Sequence, residues 1–221
     1  MEKVKLFLKG ILYILLYFII TIFIYSLFYT HIYGDNLILA NLATILSDLI
    51  VLFIFIVVFR KTIVPDFHYF KNNFKMYIKN NYHYWLIGLA IMVITNTIIG
   101  LFIANLPTNE ELNREILLSV PLSSIFAMVI AGPINEELLT RIIFKKTIKK
   151  EYLYIFISGF VFGSLHMLSA TSLIELLYVI PYTALGCAFA KMYYKTDNIW
   201  PNIFFHSIHN LIAIILIFVG V

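Results

Sequence analysis

The sequence predicts an all-α membrane protein, a polytopic helical bundle of about seven to eight transmembrane helices forming one membrane domain over 1–221. Three observations predict it. First, 62% of the 221 residues are apolar and 13% are charged, with a mean hydropathy of +0.92. A soluble domain is about half apolar and about a quarter charged, so this chain has too little polar surface to cover itself in water. Second, seven apolar stretches approach or exceed the roughly 20 residues a helix needs to cross the hydrocarbon core. Third, lysine and arginine alternate between successive loops, as in a chain threaded through a membrane. Together these exclude a cytosolic enzyme, a secreted disulfide scaffold and a disordered tail. The net charge of +4 reports topology, and no nucleic-acid partner is expected. Cys187, the one cysteine, has no mate for an internal disulfide or a CxxC metal site.

The first stretch, 6–30, follows Lys3, Lys5 and Lys9. It is too long for the hydrophobic region of a signal peptide and no small-residue cleavage site follows, so it is read as a retained anchor. The second runs over 37–59. Pro65-Asp66 then reads as a turn and N-cap opening a helix over 66–80, with Phe67, Phe70, Phe74 and Tyr77 on one side and Lys71, Lys75 and Lys79 beside them. That pattern predicts a helix lying on the inner leaflet with its lysines toward anionic headgroups. The third stretch is 84–105, and Thr108-Asn109-Glu110-Glu111 has the form of a capping box that starts a helix on the outer side. The fourth, 121–144, carries Pro121 and Pro133, which break or bend a helical run. The fifth (152–168) is short, and the sixth and seventh are 172–190 and 199–219; extra half-helices would raise the count to eight. Charge orients the bundle. Lysines precede the first span and fill the second, fourth and sixth loops, while the first loop (His31 to Asn36) has none and the third is mainly acidic. The N-terminus is therefore expected in the cytoplasm of a multi-pass cell-membrane protein.

Charges inside the membrane are the exception to this order. Glu136, Glu137 and Arg141 lie in the fourth span, where each ionised group costs about 2.5–3.5 kcal/mol on the insertion scale and is a functional candidate by default. Glu137 and Arg141 stand at i and i+4 in the favourable order for a helical ion pair. Glu136, about a hundred degrees round the helix, is left free for chemistry. Gly132-Pro133 removes a backbone bond and should leave a bend and an open carbonyl nearby. His166 ends the fifth span, and His206 and Asn210 are i and i+4 in the seventh. Counted from the turn near Lys150, Glu136 and His166 are at matched depth, roughly 21–23 Å away at 1.5 Å per residue, and His206 is roughly 16 Å from the turn near Lys195. The three are expected to meet in the inner half of the bilayer. A carboxylate beside an imidazole can take a proton from water between them, and a second imidazole with an amide one turn away can donate to an oxyanion. These are the parts of a hydrolase acting on a carbonyl.

The same residues admit other chemistries. Glu136, Glu137 and Arg141 form a structural ion-pair network in the plainest reading. No H-E-x-x-H motif is present, yet Glu136, His166 and His206 are valid zinc ligands, so a zinc-dependent membrane protease is one alternative. An aspartyl protease needs two facing aspartates and only Asp48 lies in a span; Ser164 lacks a Gly-x-Ser-x-Gly context. Intramembrane acids and histidines also make proton relays, but no inverted repeat is evident. His209, three residues past His206, is expected as a neighbour, Asp48 as a pairing or cavity-lining acid, and Glu175 as an outer-end residue reaching water.

Read together, Glu136-Glu137…Arg141, Phe162…His166 and His206…Asn210 resemble the three motifs of the CAAX protease and bacteriocin-processing (Abi) family, E-E-x-x-x-R, F-x-x-x-H and H-x-x-x-N. The resemblance covers roughly 115–215, and the preceding 1–114 has no motif to match. It implies a membrane-helix bundle around a cavity open to the cytosol and to lipid, and a metal-independent, cofactor-free glutamate endopeptidase. It further implies Glu136 as base with His166 helping to activate water, His206 and Asn210 at the oxyanion, and Glu137 and Arg141 in support. Phe162 would wall the cavity. The substrate implied is a membrane-associated peptide or protein near the cytoplasmic leaflet; peptide signals and membrane kinases are the partner classes that bacterial members open. Bacteriocin immunity or membrane scaffolding by binding alone is the non-enzymatic alternative. Relatives that act so lose motif residues, and this chain keeps every one.

Overall fold

A computed structural model describes residues 2–32, 36–103 and 105–220. Among these the architecture is all-helical. The elements are α1 (Glu2–Ile32), α2 (Leu37–Asn72), α3 (Phe74–Gly100), α4 (Thr108–Ser119), α5 (Pro121–Thr147), α6 (Glu151–Leu165), α7 (Ile174–Thr196) and α8 (Trp200–Phe218). Six are long and apolar enough to cross a membrane: α1 over Phe7–Phe28, and α2, α3, α5, α7 and α8. The remaining predicted stretch, the fifth, is α6, whose 15 residues span only about 22 Å, as its short apolar run anticipated. Leucine, isoleucine and phenylalanine side chains such as Ile22, Phe53, Ile94, Leu122, Phe156 and Ile215 cover the outside, and the core is packed from Phe55, Leu138, Leu139, Phe144, Tyr154, Phe189 and Ile199.

Local chemistry sets the boundaries. The Asn36 side chain accepts from the N–H groups of Ile38 and Leu39 and opens α2. At α5 the first turn starts with Pro121, whose missing N–H costs nothing there, and the Ser123 N–H is satisfied across the bundle by Asn41 of α2 at 2.9 Å. Helices α6 and α7 approach closely because Gly159 and Gly163 face the α7 backbone. A Cβ on Gly159 would lie 2.6 Å from the Cys187 nitrogen, and one on Gly163 would lie 2.8 Å from that of Thr183. This is the small-xxx-small packing of membrane helices, four residues apart on one face.

Two expectations change. Residues 66–80 do not form one interfacial helix. The chain stays helical through Pro65 to Asn72, turns at Asn73 and restarts as α3. The aromatic stripe is spent on that corner: Phe70 and Tyr77 are buried, and Phe74 packs edge-on against Phe204 of α8. Lys71, Lys75 and Lys79 remain exposed. Pro65 is tolerated because the α7–α8 turn ties down its surroundings. Trp200 donates to the Ile63 carbonyl at 2.8 Å, Asn198 to the Asp66 carbonyl, and the Ile199 N–H to the Asp66 carboxylate. The capping box at Thr108 is likewise not made. Thr108 donates both its N–H and its hydroxyl to Glu175, so Glu175, partly exposed at its helix end as expected, also staples α4 to the start of α7. The lysine-free first loop lies largely outside the described residues.

The bundle is electrically polarised. Of its sixteen lysines and arginines, all but Arg114 and Arg141 lie toward one end, formed by the start of α1, the α2–α3 corner and the α5–α6 and α7–α8 turns. There Lys191 pairs with Glu151, and Lys145 bonds Asp197 at 2.7 Å. The opposite end carries α4 with Glu110, Glu111 and Glu115, and Glu175.

Candidate active site

Helix α5 is wound irregularly around the polar residues. Ala127–Ala131 and Leu138–Ile142 are π-helical, flanking Gly132–Glu137. The Gly132 N–H reaches back five residues to the Ala127 carbonyl, and Pro133 has no N–H to give. The Met128 carbonyl, which an α-helix would pair with Gly132, is thereby orphaned, and Asn210 of α8 donates to it at 2.7 Å. The open carbonyl expected from Gly132-Pro133 is thus Met128, and its partner is the motif asparagine. Gly132 is needed because a Cβ there would stand 2.9 Å from the Ala127 oxygen.

Glu137 and Arg141 form the buried centre of the site, both fully inaccessible. The carboxylate takes two bonds from the guanidinium, at 2.8 and 3.1 Å, a third from Asn202 at 3.2 Å and a fourth from His206 Nδ1 at 3.2 Å. Arg141 also donates to the Ser158 hydroxyl and carbonyl and lies over the Phe162 ring. All four acceptor positions of the carboxylate are used, which is what a buried charge requires.

Glu136 has the opposite surroundings. Its side chain is 30% exposed, and Oε2, buried, accepts no hydrogen bond within the protein. That oxygen faces His206 Nε2 at 3.7 Å and His166 Nε2 at 3.9 Å. The histidine tautomers are assigned by their other nitrogens. His166 Nδ1 lies 3.0 Å from the Phe162 carbonyl, which can only accept, and His206 Nδ1 faces the ionised Glu137, so each Nδ1 holds its proton. Both rings then turn Nε2 toward a carboxylate oxygen of Glu136. Separations of 3.7–3.9 Å are too long for direct hydrogen bonds and are of a size that one bridging water spans. The rings are fixed by stacking, His166 on Tyr182 at 4.5 Å and His206 on Phe189 at 5.3 Å. Phe162 packs against both imidazoles; it is a buried floor under the histidines and does not line the cavity.

In front of Glu136 lies a cavity of about 450 Å³, within the roughly 300–1,000 Å³ range of ligand sites. His166, Asn210, His209, Asp48 and Asn135 line it with Glu136. Asp48 accepts from the Tyr25 hydroxyl at 2.5 Å, and its second oxygen is buried without a partner. The structure thus brings together Glu136, His166 and His206, sets Asn210 one helical turn away, and places Glu137, Arg141 and Phe162 behind them. Tyr182, Phe189, Asn202 and Ser158 were not singled out from the sequence. Asn202 had a signal, a polar residue one turn before His206 on the same helix face, whereas the aromatic stacking partners had none.

Glu136 lies near the middle of α5, but the cavity runs from it toward the α4 end, where Asn109, Glu110 and Asn113 line it.

A family model described as "Rce1-like: Type II CAAX prenyl endopeptidase Rce1-like" matches residues 118–212, a span that includes all three motifs. Among curated proteins, the chain is 32% identical over 111 residues to "Putative membrane peptidase YdiL" of Bacillus subtilis (strain 168). The match covers 49% of this chain and 42% of that protein, so the chain spans less than half the length of this relative. No solved structure matches the chain.

Proposed function

We propose that the chain, which is similar over residues 118–212 to the Rce1-like CAAX prenyl endopeptidase family, is an intramembrane endopeptidase using a glutamate-activated water. The observation that carries this reading is the lone Glu136 Oε2, unpartnered and facing two imidazole Nε2 atoms across a gap of water size. Glu136 takes a proton from that water while His166 holds it by its second hydrogen. The hydroxide adds to the peptide carbonyl. The oxyanion is met by the second N–H of the Asn210 amide and by His206, whose Nε2 borrows the proton taken up by Glu136 3.7 Å away and returns it on collapse, with Glu137 holding the opposite Nδ1–H and hence the ring's aim. Collapse breaks the C–N bond, the proton held by Glu136 passes to the leaving amine, and a carboxylate and an amine result. Substrates are membrane-associated peptides or proteins. The enzyme sits in the cell membrane with its N-terminus in the cytoplasm, as the lysine distribution supports.

The test compares peptide termini in host membranes carrying wild type with those carrying Glu136→Ala at equal expression. Termini that need Glu136 are expected. Unchanged termini, with Glu136→Ala still rescuing a deletion phenotype, would replace this reading with immunity or scaffolding by binding.

A further inference from the structure

A second space, of about 210 Å³, opens at the lysine-rich end, between the start of α1 and the ends of α2 and α5. It shares no lining residue with the cavity in front of Glu136. Each of the three helices gives it the same two layers. Lys9, Lys61 and Lys146 form the outer layer. One helical turn deeper stand Tyr13 on α1, Val58 on α2, and Ile142 and Ile143 on α5. The deeper layer is firmly built: Ile142 and Ile143 are buried, and Tyr13 meets the buried Phe59 ring edge-on at 5.7 Å. Val58 is exposed, so on that side the layer opens to lipid.

The outer layer is not neutralised. Among the described residues no carboxylate pairs with Lys9, Lys61 or Lys146, whereas Lys145, Lys191 and Lys195 at the same end each have one. Lys9 lies instead over the Tyr13 ring at 5.6 Å. Three like charges around one space attract an anion, and the apolar layer beneath them attracts hydrocarbon. One molecule that carries both is a phosphodiester bearing acyl chains. We propose that this pocket binds an anionic phospholipid, its phosphate among Lys9, Lys61 and Lys146 and its acyl chains leaving past Val58. The Thr62 hydroxyl, in the same lining, is a further donor to the phosphate. A zwitterionic headgroup brings its own ammonium among the three lysines and is disfavoured. The bound lipid ties the start of α1, whose outer face carries the exposed Leu8, Leu12 and Leu15, to α2 and α5. The site is independent of the hydrolase reading.

The test uses the full chain, purified in a non-ionic detergent and titrated with phosphatidylglycerol, phosphatidylcholine or inorganic phosphate. Binding is read by native mass spectrometry and by Tm. One tightly held phosphatidylglycerol per chain is expected, with a rise in Tm that neither phosphatidylcholine nor inorganic phosphate matches. Lys9→Gln, Lys61→Gln and Lys146→Gln should each weaken it about fivefold, and the three together about a hundredfold. Lys71→Gln, Lys75→Gln and Lys79→Gln combined, at exposed positions outside the pocket, should leave it unchanged. Equal weakening by both triple variants means diffuse attraction and overturns the site. Equal binding of phosphatidylcholine, or an equal rise in Tm with inorganic phosphate, overturns the anionic lipid as its occupant. Should the pocket triple variant fail to fold, the single variants still decide: unchanged affinity in all three overturns the proposal.

Discussion

Glu136 and Glu137 are adjacent in sequence and opposite in environment. Glu137 is enclosed by Arg141, Asn202 and His206, whereas Glu136 reaches the cavity with an oxygen that no protein group satisfies. Two consequences are measurable. Glu136→Gln keeps the shape and removes the base, so turnover should fall by about 10²–10⁴-fold with unchanged membrane insertion and thermal unfolding. Retained turnover would remove Glu136 from the chemistry. Arg141→Ala leaves Glu137 buried without its main partner, a loss of about 3–5 kcal/mol, read as a lowered Tm in detergent. Arg141→Lys should recover only part of this, because an ammonium cannot make the paired bonds of the planar fork. The Glu137–Arg141 pair was legible in the sequence because it is local, i to i+4 on one helix. The bond from Glu137 to His206 was not, since it joins residues 69 apart and depends on how α8 rotates against α5.

Helix geometry explains why the three motifs converge. The approach of α6 to α7 rests on Gly159 and Gly163, and it sets His166 on Tyr182. Gly163→Leu should force the pair apart, at more than the roughly 1–3 kcal/mol of ordinary overpacking, and reduce activity with it. Gly100→Ala, where nothing lies within 4 Å, is the matched control and should be neutral or slightly stabilising. In α5, Pro133→Ala restores an N–H that can reach the Met128 carbonyl. Asn210 should then lose its fixed position, and activity should fall more than stability. Wild-type activity in Pro133→Ala would show that the Asn210–Met128 bond does not position the site. At this scale the sequence was informative about apolar length and poor about polar corners. The seven stretches correspond to seven helices, yet the Phe67–Tyr77 stripe read as a lipid-facing surface. A stripe of aromatics has the same period whether it meets lipid or another helix; only the position of α8 decides, through Phe204 and Trp200.

Taken as one object, the molecule is a bundle with an apolar girdle, a lysine-rich end and a cavity toward the other end. The charge alternation, and with it the expected orientation, could be read from loops alone. The lining of the cavity could not, because counting residues from a turn gives depth and not which side chains surround the space. Two imidazoles and a carboxylate are also ligand types for a divalent cation, although among the described residues no group of three or more is placed to hold one, and metal removal separates the two chemistries. The most direct test is made on purified protein in nanodiscs incubated with a peptide mixture prepared from host membranes, with products read by mass spectrometry after treatment with a strong chelator. The account predicts cleavage that survives chelation and is lost in both Glu136→Gln and His166→Ala, each still folded. Cleavage that disappears with the chelator and returns with zinc, or that persists in Glu136→Gln, would contradict it.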